Sequence, residues 1–401
     1  MQFTQWKRQA FRFLSGQTVS LFGSSLAQYA LIWQITLSTS SGRMLTLSTL
    51  CGFLPQLAVS LFAGVWADRF PRKRLIILSD AAAALAALLL ALTLFFGREP
   101  LWLIFAVLAV RSAGAGIQTP AVQSAVGQLV PGESRMRVNG LYATAQSLTT
   151  FLSPALGGAL LSVLPLGAVL LADVATAAAG MLLTAGVKLP RLAAGGAENG
   201  IKGLREGLHY LRESPFLRRL LFFQAPMMLL ISPAAFLPPL LVARNFGAEV
   251  WRLTVGEMTY SAGMILGGLL IAAWGGFRDH LRTTALAGGV YGLLMIGLGA
   301  SPWFLLYLAC NTLIGICSPC YNTPITAAIQ ERVPDAMQGR AFGLFQAVTS
   351  CALPLGMAVF GPLADLVPAG AVLCGCGTAA VLLCAGAYFG GRLRWCAQKP
   401  A

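Results

Sequence analysis

Three charged residues lie inside long apolar runs: Arg111 in VRSAGAGIQ, Asp173 in VLLADVATAAAG and Glu257 in TVGEMTYSAGM. A charge in hydrocarbon costs about 3 kcal/mol on insertion scales, so each needs a partner or a task. An acid in that setting is a candidate to take up and release a proton, and an arginine beside it can tune the uptake. Asp173, Glu257 and Arg111 therefore form the candidate proton-coupling set. Each also has a plainer reading, and the sequence leaves both open. Arg111 can be a buried ion pair or a carbonyl clamp, Asp173 a helix–helix hydrogen bond, and Glu257 a side chain snorkelling to the outer interface. Asp80, Asp279 and Asp365 fall near the ends of apolar runs and read as interfacial.

Uncharged polar residues give a second pattern. Gln17, Ser20, Ser24 and Gln28 are spaced by three, four and four residues, which puts them on one helical face. A polar stripe on a membrane helix must face protein or water. With Gln118, Gln146, Asn311, Asn322 and Gln346 in other apolar runs, Gln17, Ser24 and Gln28 predict a polar, weakly charged substrate cavity. Interhelical hydrogen bonding is the simpler reading of each one singly. In SPALGGAL, Pro154 removes a backbone bond while Gly157 and Gly158 admit a neighbouring helix, so this stretch predicts a bend at a close helix contact.

The elements that must position these residues follow from composition. Only 10% of the 401 residues are charged and 57% are hydrophobic, against about 25% charged in an ordinary soluble domain. Twelve segments approach the length of a membrane span, near 11–36, 44–66, 75–96, 101–125, 138–162, 165–187, 217–242, 254–274, 283–300, 303–326, 340–363 and 367–390. The expected fold is an all-α integral membrane protein with 12 transmembrane helices. Residues 1–187 form one six-helix bundle and 217–401 a second. Between them, 188–216 form a central loop whose IKGLREGLHYLRESP predicts an amphipathic surface helix. The segments TPAVQSAVGQLVPGESRMRVNGLY and TPITAAIQERVPDAMQGRAFGLF share TP, VP and GL plus an aromatic about 204 residues apart. They indicate a parallel repeat of six spans, an architecture that forms a binding cavity between bundles.

Charge distribution sets the orientation. With both termini and the central loop in the cytoplasm, 23 of the 28 Lys and Arg fall on that side, as the positive-inside rule requires. The expected location is the cytoplasmic (inner) membrane. The formal charge of +14 thus reflects topology, and no nucleic-acid partner is expected. The lone CxxC pair, Cys317 and Cys320, and two isolated histidines, His209 and His280, predict no metal site. No phosphate-binding glycine loop and no nucleophile paired with histidine is evident, so neither an enzyme nor a direct ATP user is expected.

The segment GVWADRFPRKR packs Asp68, Arg69, Arg72, Lys73 and Arg74 between two apolar runs. Its Gly64, Asp68, Arg69, Arg72 and Lys73 match G-x-x-x-D-R-x-x-R-K, and on this motif the chain resembles the major facilitator superfamily (MFS) of transporters. Trp66 stands where that motif usually has a small aliphatic residue and Pro71 where it has glycine. Arg111, Gly114 and Gly116 resemble the family's span-four motif. Ser153-Pro154-x-x-Gly157-Gly158 resembles its span-five antiporter motif, G-P-x-x-G-G, with Ser153 in place of glycine. WKRQAFRFLSGQTVSLFGSSLAQ and LCGFLPQLAVSLFAGVWADR are most similar to the macrolide-efflux branch. The resemblance implies the MFS fold, two six-helix bundles related by pseudo-two-fold symmetry. It also implies proton-coupled efflux of a drug-like or amphipathic small molecule by alternating access, with no cofactor beyond the proton gradient. Partners would be the small-molecule substrate, protons and membrane lipids, the protein being a monomer. Export of a siderophore, lipid or other metabolite, or proton-coupled import, would share the same motifs. Gly64, Asp68, Arg69, Arg72 and Lys73 would then form a gating loop.

Overall fold

The computed structural model describes residues 2–97, 100–187, 214–277, 279–333 and 335–389. They build thirteen α-helices: α1 (Gln2–Thr39), α2 (Gly42–Arg69), α3 (Arg72–Phe95), α4 (Leu101–Leu129), α5 (Gly132–Val163), α6 (Leu166–Ala185), α7 (Pro215–Phe236), α8 (Pro238–Asn245), α9 (Val250–Trp274), α10 (His280–Gly299), α11 (Phe304–Arg332), α12 (Asp335–Leu366) and α13 (Ala369–Phe389). Among the described residues, nine helices are long and apolar enough to cross a membrane. The predicted amphipathic helix of the central loop lies outside the described residues.

Helix α3 shows which solvent the fold is built for. Leu78, Leu85 and Leu89 are 65%, 61% and 61% exposed, while Ser79 and Asp80 on the same helix are buried. In water this polarity would be inverted, because apolar area gains about 25 cal/mol per Å² on leaving water. Lipid removes that gain, and backbone bonding within each helix meets the demand that hydrocarbon makes of polar groups.

The sequence predicts one uninterrupted span near 217–242, and the structure divides it. Helix α7 ends at Phe236 and the short α8 begins at Pro238. Pro238 and Pro239 have no amide hydrogen to continue the ladder. The chain re-forms it only beyond them, where Leu241 N donates to Leu237 O at 2.9 Å. Elsewhere prolines such as Pro154 in α5 and Pro324 in α11 sit inside continuous helices.

The chain divides into two compact units, Met1–Thr39 with Leu47–Ala197, and Ser40–Thr46 with Glu198–Ala401. In the first, α1 packs on α5 and α6, and α3 packs on α4 and α6. In the second, α7 packs on α12 and α13, and α10 packs on α11 and α13. The same pairing scheme thus occurs in each unit, as an internal repeat requires. The first unit's core includes Phe13, Ile76, Val122 and Val126, and the second's includes Leu217, Met227, Tyr321 and Ile325.

In the second unit α9 also lies against α11, and glycine permits the approach. A Cβ at Gly263 would sit 2.1 Å from Thr312 O, and one at Gly315 would sit 2.3 Å from Tyr260 O. This is backbone against backbone, a separation only small residues allow.

Candidate functional site

The first unit gathers its polar side chains from four helices. On α4, Arg111 and Gln118 are two helical turns apart on one face. On α1, Gln17, Ser20 and Ser24 share a face, and α3 and α6 contribute Asp80 and Asp173. Arg111 Nη1 donates to Asp173 Oδ2 in an ion pair. Arg111 Nη2 donates to the Ser24 carbonyl at 2.8 Å. The paired side chains are only 6% and 2% exposed. Both plain readings of Arg111, ion pair and carbonyl clamp, are thus realised together.

A second group of bonds centres on Asp80. Ser20 Oγ and Gln118 Nε2 each donate to Asp80 Oδ1 at 3.0 Å. Gln118 Nε2 also reaches Gln17 Oε1 at 3.2 Å, and Gln17 Nε2 donates to Thr184 Oγ1 at 3.1 Å. Asp80 is 5% exposed, so the interfacial reading of this residue is wrong. It stands two turns inside α3, opposite the polar face of α1. Its donors are neutral, and the charges of Asp173 and Arg111 act on it with opposite sign. Asp80 Oδ2 and Asp173 Oδ1 are both buried with no hydrogen-bond partner. The stripe of Gln17, Ser20 and Ser24 was the available signal for Asp80, since such a stripe needs polar groups facing it.

The second unit presents a different setting. Glu257 is half-buried and lines a cavity of about 160 Å³ bounded by α7, α8, α9 and α11. Tyr260, Tyr307 and Asn311 line it too, with Ala234, Pro238, Val242 and Leu253 among its apolar walls. Asn311 Nδ2 donates to Gly256 O at 2.7 Å and reaches Thr259 Oγ1 at 3.4 Å. No described residue donates to the Glu257 carboxylate or pairs with it. Of the two readings the sequence leaves open for Glu257, the structure shows a side chain that lines a cavity.

The other predicted residues are scattered. Gln28 is half-buried in the first unit, and its amide lies 2.8 Å from where a Cβ on Gly52 would stand. Gln146 is exposed and bonds with Tyr142. Asn322 is exposed and donates to Ser318 O of its own helix at 3.0 Å. Pro154, Gly157 and Gly158 are buried in α5, with Gly157 against Leu26 of α1. The side chains of Gln346, Gly64, Asp68 and Arg69 lie outside the described residues. Lys73 Nζ donates to the carbonyls of Ala185 and Val187 at the end of α6, so it caps that helix. Arg12 lies beside Gly186 at the same end of the unit. Asp365 accepts from Gly42 N at 2.6 Å and from Arg244 Nη2 at 2.7 Å, and Asp279 accepts from Leu281 N at 3.2 Å as the cap of α10.

Residues 13–357 match the model of the Major Facilitator Superfamily. Macrolide efflux protein A of Streptococcus pyogenes is 30% identical over 369 residues, which is 91% of each chain. Multidrug efflux pump Tap of Mycolicibacterium fortuitum is 27% identical over 86% of each chain. Among solved structures, a POT family transporter in complex with a thioalcohol conjugated peptide has a similar fold, with TM-score 0.71 at 12% identity over 95% of this chain and 96% of that one. A bacterial homolog of the human lysosomal transporter Spinster, inward-facing and unoccupied, gives 0.66 at 15% identity over 98% and 96%. Apolar spanning helices, buried intramembrane charge and the family match together make the chain a multi-pass membrane transporter that belongs to the Major Facilitator Superfamily.

Proposed function

We propose that this transporter exports an amphipathic, drug-like small molecule of the macrolide type across the cytoplasmic membrane in exchange for protons. The observation that carries the reading is a charge count in the first unit. The buried cluster holds one guanidinium, Arg111, and two carboxyls, Asp173 and Asp80. It is electrically neutral only when one carboxyl bears a proton. Two buried carboxylate oxygens, Asp80 Oδ2 and Asp173 Oδ1, are open to receive it. The names of the relatives, macrolide and multidrug efflux proteins, support the direction and the substrate class.

In the exchange cycle the cluster gives up its proton toward the cytoplasm, where substrate enters, and takes one up from outside, where substrate leaves. The two states must differ in proton affinity, since a proton bound equally well in both shifts nothing. Substrate and proton then compete by way of conformation, without needing to touch. Arg12 and Lys73 at one end of the first unit, with the charge asymmetry of the sequence, favour cytoplasmic termini.

The experiment is transport in liposomes under an imposed pH difference, with direction read in everted vesicles. Asp173→Asn and Asp80→Asn each leave one cation and one carboxylate, a cluster balanced without a proton. Both variants are expected to bind substrate yet build no pH-driven gradient. A substrate gradient still driven by pH in both would show that this cluster is not the carrier.

A further inference from the structure

We propose that the cavity around Glu257 is a subsite for a cationic, ammonium-bearing group of the transported molecule, a reading that rests on the exporter assignment above. Four observations converge on it. The Glu257 carboxylate faces the cavity without a hydrogen bond or ion pair from any described residue. Neither Arg252, which lies over the Trp251 ring with its Nε 3.4 Å from Glu249, nor Arg244, held by Asp365, pairs with Glu257. Of the polar side chains in the lining, Asn311 donates to Gly256 O and Tyr260 bonds with Ser318, which leaves the Tyr307 hydroxyl beside the acid. The walls are apolar or aromatic, with Tyr260 and Tyr307 beside the acid.

A half-buried carboxylate with no cation of its own is offset either by a proton or by a cation brought from outside, and an open cavity admits the second. Aromatic walls favour ammonium over other cations, because ring faces attract a desolvated ammonium while apolar walls offer nothing to a strongly hydrated metal ion. Volume sets the scale of what enters. A cavity near 160 Å³ matches the roughly 150 Å³ that holds a benzene-sized group. It therefore takes an amine-bearing head, and the body of a larger amphipathic molecule remains outside.

The test measures binding to the purified full-length chain in detergent, using two fluorescent probes. One is a dansyl-labelled alkyl-trimethylammonium, whose charge does not vary with pH. The other is its neutral isostere with carbon in place of nitrogen. The wild type is expected to bind the cation at least about tenfold more tightly than the isostere. Glu257→Gln should abolish that preference and leave the neutral probe within about twofold of wild type, whereas Glu257→Asp should keep part of the preference. Absence of cation binding or of preference in the wild type overturns the proposal. So does equal weakening of both probes by Glu257→Gln in protein that elutes as a single folded species. Loss of pH-driven export of the neutral probe in Glu257→Gln would place Glu257 in proton coupling and also overturn it. Failure of the wild type to export either probe would instead remove the exporter reading, with the binding preference still supporting a cation site.

Discussion

The two units each keep carboxyl groups away from water and answer the problem in opposite ways. In the first, Asp173 is answered from within by Arg111, and Asp80 by Ser20 and Gln118. In the second, Glu257 has no answer among the described residues and opens on a cavity. The contrast separates two tasks that one sequence pattern, an acid in an apolar run, cannot distinguish. An acid answered internally is suited to trading a proton for a shift in its own contacts. An acid left open is suited to meeting a ligand.

Removing the single cation should have the largest effect. Arg111→Met leaves Asp173 and Asp80 as two buried acids with no counter-charge, and breaking a buried pair by removing one partner costs about 3–5 kcal/mol. Thermal unfolding of the purified protein in detergent is expected to show this loss. Adding Asp173→Asn to Arg111→Met should recover stability, because one of the two stranded acids disappears. A double variant no more stable than the single one would dissolve the distinction between the units.

The same acid-to-amide exchange then probes each site in turn. Asp173→Asn strips Arg111 of its closest partner, yet Asp80 remains in the cluster as counter-charge. The expected loss is about 1–3 kcal/mol, the range for a broken charged hydrogen bond. Asp80→Asn should cost less, about 1 kcal/mol or below, because an amide oxygen still accepts from Ser20 and Gln118 and the Arg111–Asp173 pair stays closed. Unfolding midpoints in the order Asp80→Asn above Asp173→Asn above Arg111→Met would support the charge count. A reversal of the first two would make Asp80 the principal partner of Arg111.

How much of this could be read in the sequence differs between fold and site. Span positions follow from apolar runs, because hydrocarbon sorts residues by composition alone, and Arg111 and Asp173 are conspicuous for the same reason. Their pairing is not visible in sequence, since 62 residues and two turns of chain separate them. Nearness to Arg72, Lys73 and Arg74, which mark the start of a span, makes Asp80 read as interfacial in sequence. Helix α3 begins at those cations, and two further turns carry Asp80 into the bundle. The break between α7 and α8 was written in Pro238 and Pro239, but an apolar run through both prolines masks it in a hydropathy reading. The scattering of Gln146, Asn322 and Gln28 has a further cause. Residue type shows that a polar group needs a partner, whereas only packing shows whether its own helix turn already supplies one, as Ser318 does for Asn322.

The smallest expected effect is the most discriminating. Glu257→Gln replaces an acid that no described residue bonds or pairs with, so no such interaction is lost when it goes. The amide is nearly isosteric, and the cavity is open enough to leave its orientation free. Stability should therefore not fall, and the unfolding midpoint in the absence of ligand should match or exceed that of the wild type. A saturating ammonium probe should then raise the midpoint of the wild type and leave that of Glu257→Gln unmoved, because only a ligand that binds the native state stabilises it. A drop of 1 kcal/mol or more for Glu257→Gln without ligand, on the order of a lost hydrogen bond, would mean that Glu257 is answered internally after all. The two units would then hold their acids by one and the same device.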